Sequence, residues 1–136
     1  MSKTTLISQN HCVYSINYHL VLVTKYRQKT ITEPILERLT ELVSQRIEAW
    51  EGELLEINGE PDHLHILFGI PPKHAASDFV NALKTGTSRR IRNEFTEHLS
   101  RFYWKPVFWS RSYCIVTCGG APLSVIKEYV ENQGGA

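Results

Sequence analysis

The sequence predicts an α+β protein of the ferredoxin-like (RRM-like) split βαβ class, a four-stranded antiparallel sheet with two helices on one face plus a carboxy-terminal helix. Three observations carry this expectation. Hydrophobic residues alternate with period two in some stretches and recur every three or four residues in others, and the two patterns follow one another as β-α-β-β-α-β-α. The 136 residues, 42% of them hydrophobic, suffice for one core, so residues 1–136 are read as a single domain.

The first strand is residues 13–24, with Tyr14, Ile16, Tyr18, Leu20 and Leu22 on one face and Ser15, Asn17 and His19 among those on the other. Thr32 caps a helix entered through Pro34, in which Leu36, Leu39, Val43, Ile47 and Trp50 share a face until Gly52 stops it. Residues 54–58 and 63–70 form a hairpin around Gly59-Glu60-Pro61-Asp62, and Pro71-Pro72 ends it. Phe79, Leu83, Thr87, Ile91 and Phe95 step by four along a second helix whose opposite side carries Thr85, Ser88, Arg89 and Arg92. Residues 107–118, rich in aromatic and β-branched side chains, make the fourth strand and end at Gly119-Gly120. After Pro122, Leu123, Ile126 and Val130 define the last helix.

Fifteen Lys+Arg against fourteen Asp+Glu exclude a protein that coats nucleic acid by global charge. The charge is nonetheless segregated: residues 33–62 hold nine acids and two bases, whereas residues 84–111 hold seven bases and two acids. A local basic surface suited to phosphates can therefore form. No apolar run approaches the ~18 residues of a membrane span, and the first twelve residues lack a signal-peptide core, so a cytoplasmic protein, nucleoid-associated when acting, is expected. Cys12, Cys114 and Cys118 include no Cys-x-x-Cys pair and are read as reduced thiols.

Within Pro61-Asp62-His63-Leu64-His65-Ile66-Leu67-Phe68, alternation sends Leu64, Ile66 and Phe68 to the helices and both histidines to the open face. Two imidazoles ~7 Å apart along a strand can chelate one divalent ion, or can be satisfied structural histidines. On the last helix Tyr129 and Gln133 are four apart and share a face. Laid over the open sheet, that face would add an amide oxygen to a metal shell and set a phenol beside it, although an amphipathic core tyrosine has the same spacing.

The His63-Leu64-His65 pair, the stretch Tyr18-His19 followed by Lys25-Tyr26-Arg27, the later Trp109-Ser110-Arg111-Ser112-Tyr113 and the terminal Tyr129-x-x-x-Gln133 together resemble the single-tyrosine HUH transposases of the insertion-sequence 200/605 family. The resemblance runs from about Tyr14 to Gln133. It implies a homodimer that cleaves and rejoins single-stranded DNA beside hairpins at insertion-sequence ends. Tyr129 would be the nucleophile, and His63, His65 and Gln133 would bind Mg²⁺ or Mn²⁺. The product would be a 5′-phosphotyrosine link with a free 3′-OH. It also implies that the tyrosine helix, swinging at Gly119-Gly120, completes the partner's site in trans.

Around this constellation, His19 is a candidate to support the metal site or contact DNA, and Asp62 to orient a histidine. Arg27, Lys84, Arg89, Arg92 and Arg111 are candidates for the hairpin backbone, and Tyr26, Phe102, Tyr103 and Trp104 for stacking on unpaired bases. Two other functions fit parts of the pattern. A non-catalytic RRM-like nucleic-acid binding module shares the topology, but the open face of strand three carries histidines where such modules carry aromatics. A zinc hydrolase would need a third ligand at recognisable local spacing, which is absent from the sequence.

Overall fold

The computed structural model describes residues 7–9, 12–14, 16–117 and 130–132. Its sheet is built around the run Leu20-Val21-Leu22-Val23, apolar at every position and buried on both sides. Such a run suits a central strand covered on both faces. The chain opens with a small antiparallel hairpin, β1 (Ile7–Gln9) with β2 (Cys12–Tyr14), and then enters the central strand β3 (Asn17–Thr24). Next come β4 (Glu53–Glu60), β5 (His63–Gly69) and β6 (Trp109–Thr117), and the four main strands lie antiparallel in the order β4-β5-β3-β6. This is the order expected of the split βαβ class.

The expected first strand, residues 13–24, is in fact divided. Pairing of β3 with β5 ends at Asn17 opposite Gly69, because β5 stops there ahead of Ile70 and the two prolines. Before Asn17 the pairing with β5 does not continue, and among the described residues Ile7–Gln9 pairs locally with Cys12–Tyr14. Gly69 marks the crossing: a Cβ there would stand 2.8 Å from Asn17 Oδ1 and 2.9 Å from the Ile16 carbonyl.

Both long helices, α1 (Glu33–Ala49) and α2 (Ala76–Glu94), pack on one face of the sheet. Ile35, Leu39, Val43 and Ile47 of α1 and Phe79, Leu83 and Ile91 of α2 bury against Leu20, Leu22, Leu64, Ile66 and Phe68. Thr32 occupies the cap position of α1, but its side chain makes no capping hydrogen bond. At the other end Glu51, not Gly52, takes the left-handed conformation (φ 64°). The amides of Glu51 and Gly52 donate to the carbonyls of Glu48 and Ile47, which satisfies the last turn. Gly52 is required for a different reason, since a Cβ there would collide with the Gly69 carbonyl. Phe95 breaks the second helix (φ −125°), and the short α3 (Thr96–Leu99) follows.

Strand β6 is irregular opposite the end of β3, where the register slips between Leu22 and Thr24. A bulge of this kind leaves carbonyls outside the ladder. Lys84 meets them: its Nζ donates to the carbonyls of Ser110 and Arg111, both at 2.8 Å, and lies 5.4 Å from the Tyr113 ring centre. Nearby, the buried Trp109 Nε1 donates to Thr87 Oγ1 at 2.9 Å. Val130 and Glu131 are helical. The rest of the expected last helix, with Gly119-Gly120, Tyr129 and Gln133, lies outside the described residues.

Candidate active site on the open face

The face of the sheet away from α1 and α2 is divided lengthwise. On the β3 and β6 side Val21 and Val23 pack with Cys114, Val116 and the buried Val130. On the β5 and β4 side the side chains are polar apart from Leu67. Antiparallel register places His63 between Val23 of β3 and Glu60 of β4, and His65 between Val21 and Asn58. A cavity of about 520 Å³ opens above them, with His19, Arg27, Glu56, Val130 and Glu131 on its walls. The residues that follow Tyr129 in the chain therefore border the histidine pair.

The expected pairing of His63 and His65 on the open face is what the structure contains, with the rings perpendicular and their centres 5.0 Å apart. Metal–nitrogen bonds of about 2.1 Å would hold two imidazoles on one ion with ring centres roughly 4.5–5 Å apart, so the pair fits a divalent cation. Asp62 is buried beside them. Its Oδ1 lies 2.7 Å from His63 Nδ1 and its Oδ2 accepts from Arg27 Nε at 2.7 Å. Burial alone would raise the Asp62 carboxyl, but the hydrogen bonds from His63 and Arg27 outweigh it and hold its pKa below the ordinary value. An ionised Asp62 directs the Nδ1–H of His63 toward itself and leaves Nε2 as the nitrogen for a metal. Burial, and then the neighbouring His63 and His19, lower the pKa of His65. That favours the neutral imidazole, the form that ligates metals. Among the described residues no three His, Cys, Asp or Glu side chains converge on one point.

Asp62 is held by backbone as well as by side chains. Its carbonyl accepts from the amide of Thr24 at 3.0 Å, and the Pro61 carbonyl accepts from Ile31 N at 2.9 Å. The turn at residues 61–62 is thus fastened to the segment after β3. From that segment Arg27, itself left-handed (φ 54°), reaches Asp62 with Nε and donates through Nη1 to the Glu131 carbonyl at 3.2 Å. Arg27 thus bridges the His63–Asp62 pair and the last helix.

Of the other basic candidates, Lys84 is half-buried in its β6 contacts, and burial is the chief cause lowering its pKa. Arg89 and Arg111 are exposed, and Arg92 Nε donates to Ser88 Oγ at 3.1 Å. Sequence reasoning passed over Glu56, Asn58 and Glu60. They line the pocket because the hairpin register brings β4 alongside the histidines, and alternation within β4 was the available signal.

Residues 12–133 match the family described as Transposase IS200 like. The chain belongs to the IS200-like transposase family. It is 33% identical over 122 residues to the ISDra2 transposase TnpA of Deinococcus radiodurans, a match covering 89% of this chain and 86% of that protein. It is 28% identical over 123 residues to the transposase for insertion sequence element IS200 of Salmonella typhimurium, across 90% of this chain and 80% of that one. The crystal structure of a candidate transposase from Deinococcus radiodurans superposes with a TM-score of 0.86 at 32% identity, covering 96% of this chain and 99% of that chain. A tyrosine transposase bound to a REP hairpin shares the fold, with a TM-score of 0.57 at 10% identity over 92% of this chain and 69% of its own. Among the described residues of this IS200-like transposase no helix is long and apolar enough to cross a membrane.

Proposed function

We propose that this transposase cleaves and rejoins single-stranded DNA beside hairpins at insertion-sequence ends, with Tyr129 as nucleophile. The observation that supports the reading is the shared pocket: His63, oriented through Asp62 and Arg27, and its neighbour His65 lie under the two residues that directly follow Tyr129. The Tyr129 phenol oxygen attacks the scissile phosphorus. The P–O3′ bond breaks, and the departing oxygen takes a proton to become a free 3′-OH. The DNA is left as a 5′-phosphotyrosine ester, which a 3′-OH later attacks to join strands without ATP. His63, His65 and Gln133 would hold Mg²⁺ or Mn²⁺, which when bound supplies positive charge to the phosphate oxygens. Arg89, Arg92 and Arg111 face the hairpin backbone in this reading, while Arg27 and Lys84 brace the site and the sheet.

The test is a covalent adduct. Tyr129→Phe removes one oxygen, so hairpin binding should stay near wild type while cleavage is lost. Mass spectrometry of trapped wild-type complex should find the nucleotide on Tyr129. An adduct on Tyr113 or Tyr103 would end the assignment, and a shifted band with no cleavage by the wild type would favour the binding-module reading.

We further propose a homodimer whose tyrosine helices are exchanged. Val130 packs on its own chain's sheet in the single chain, so the exchange means the same contact made on a partner. A mixture of His63→Ala/His65→Ala protein with Tyr129→Phe protein should regain cleavage after subunit exchange. No recovery despite verified exchange means that each chain completes its own site.

A further inference from the structure

Away from the histidine pocket, the described residues leave two large rings in water: Trp104, 92% exposed, and Tyr26, 46% exposed. They are neighbours. Lys105 Nζ lies 5.7 Å from the centre of each ring, and Lys25 Nζ lies 5.2 Å from that of Tyr26. Two aromatic faces and two ammonium groups thus make one patch, and it continues into a groove of about 320 Å³ whose walls include Arg92, Leu99, Tyr103 and Val107.

The fold holds this patch in place. Beneath it the buried Tyr103 lies ring to ring with Tyr26 at 6.5 Å and donates its hydroxyl to the Lys25 carbonyl at 2.8 Å. The Lys25 amide donates to the Phe108 carbonyl at 2.8 Å, and Thr24 Oγ1 donates to the Gln28 carbonyl at 2.6 Å. Between these ties Tyr26 and Arg27 are both left-handed (φ 58° and 54°), a conformation that side chains other than glycine rarely adopt. Strain of this sort persists where surrounding contacts impose it, commonly at functional sites. The reversal sends Tyr26 outward to the patch and Arg27 inward to Asp62, so one backbone step joins the patch to the active site.

The chemistry of the patch selects its ligand. Flat aromatic faces attract a planar heterocycle, and ammonium groups at their edges attract anions set at intervals along a chain. An unpaired stretch of DNA offers both. Lys105, chiefly through its hydrogen bond, holds the Tyr26 phenol below its ordinary pKa, which reflects the positive field an incoming phosphate would meet. We infer that Trp104 and Tyr26, with Lys25 and Lys105, form a base-stacking subsite for the unpaired strand leading to the histidine pocket, an inference that rests on the single-strand cleavage reading above.

The experiment compares a twelve-nucleotide oligothymidylate with a strand of twelve abasic units, which has the same phosphates and no bases. Fluorescence anisotropy of labelled strands measures binding by the full chain. Wild type should prefer the base-bearing strand by about tenfold, ~1.4 kcal/mol, within the range of base stacking on an aromatic ring. Trp104→Leu should abolish the preference, Trp104→Phe should keep most of it, and binding to the abasic strand should not change. Because Trp104 packs against little, the fold should survive both substitutions. Equal binding of the two strands by wild type, an undiminished preference in Trp104→Leu, or no binding of either strand would overturn the subsite. So would a Trp104→Leu effect confined to self-association in sedimentation. Equal strand binding together with a Tyr129 adduct would remove the stacking subsite alone. A Trp104-dependent preference without any adduct would remove the cleavage chemistry and leave the subsite.

Discussion

The two faces of the sheet are built from the same four strands and do different work. On the helix side every strand of the four contributes aliphatic or aromatic residues to one continuous core, and a residue's role follows from its parity along its own strand except across the register shift in β4, where Leu54 and Ile57 both pack inward. On the other side a narrow apolar strip receives Val130, and next to it histidines, carboxylates and an arginine line a pocket. That pocket is assembled from four separate parts of the chain: the segment after β3, the β4–β5 hairpin, β3 itself and the last helix. The contrast teaches that packing here is a local property of each strand, whereas the chemistry exists only where the segments meet.

Substitutions on each face should separate stability from activity. The largest effect is expected on the closed face, where Phe68 is fully buried between Tyr18 and Phe79. Phe68→Ala should lower unfolding free energy by about 3–5 kcal/mol, measured by urea denaturation, with the histidine pocket unaltered in chemistry. His63→Ala and His65→Ala should do the reverse, removing metal-dependent cleavage while costing under about 2 kcal/mol of stability. Equal damage to folding by both kinds of substitution would erase the distinction between the faces.

A smaller effect is expected at Asp62, which orients His63 without being a proposed metal ligand. Asp62→Asn should weaken metal binding about 10–100-fold, read by titration calorimetry, with little change in DNA affinity. Its carboxyl pKa is lowered in the folded protein. The stability it contributes is therefore present above the unfolded-state pKa and lost as pH falls through the lower folded value. Asn at this position should flatten that part of the acid limb in urea melts of metal-free protein. An unchanged acid limb would mean that Asp62 is not held ionised by His63 and Arg27.

Much of this was legible in the sequence because alternation and helical spacing are local. The period-two pattern of Leu64, Ile66 and Phe68 assigned the histidines to the open face, and the four-residue steps of Phe79, Leu83, Thr87 and Ile91 assigned the buried side of α2. Residues 13–24 misled, because alternation continues past Asn17 although the partner strand does not. Lys84 and Arg27 read as candidates for the hairpin backbone, and nothing in their spacing pointed to partners within the chain. Their use, one on carbonyls at the bulge in β6 and the other on Asp62, depends on which distant backbone lies opposite.

The sequence by itself determined the order of the four main strands and the two long helices, the side of the sheet that packs and the side on which His63 and His65 emerge. Each follows from how neighbouring side chains partition between water and an apolar interior. Only the tertiary structure decided that Asp62 lies between His63 and Arg27, that Glu60 and Asn58 flank the histidines, and that Val130 closes the apolar strip beside them. Those contacts join residues as much as 104 positions apart, as in the Arg27–Glu131 hydrogen bond. They depend on strand register, turn geometry and the left-handed backbone at Tyr26 and Arg27, none of which leaves a periodic trace in the chain.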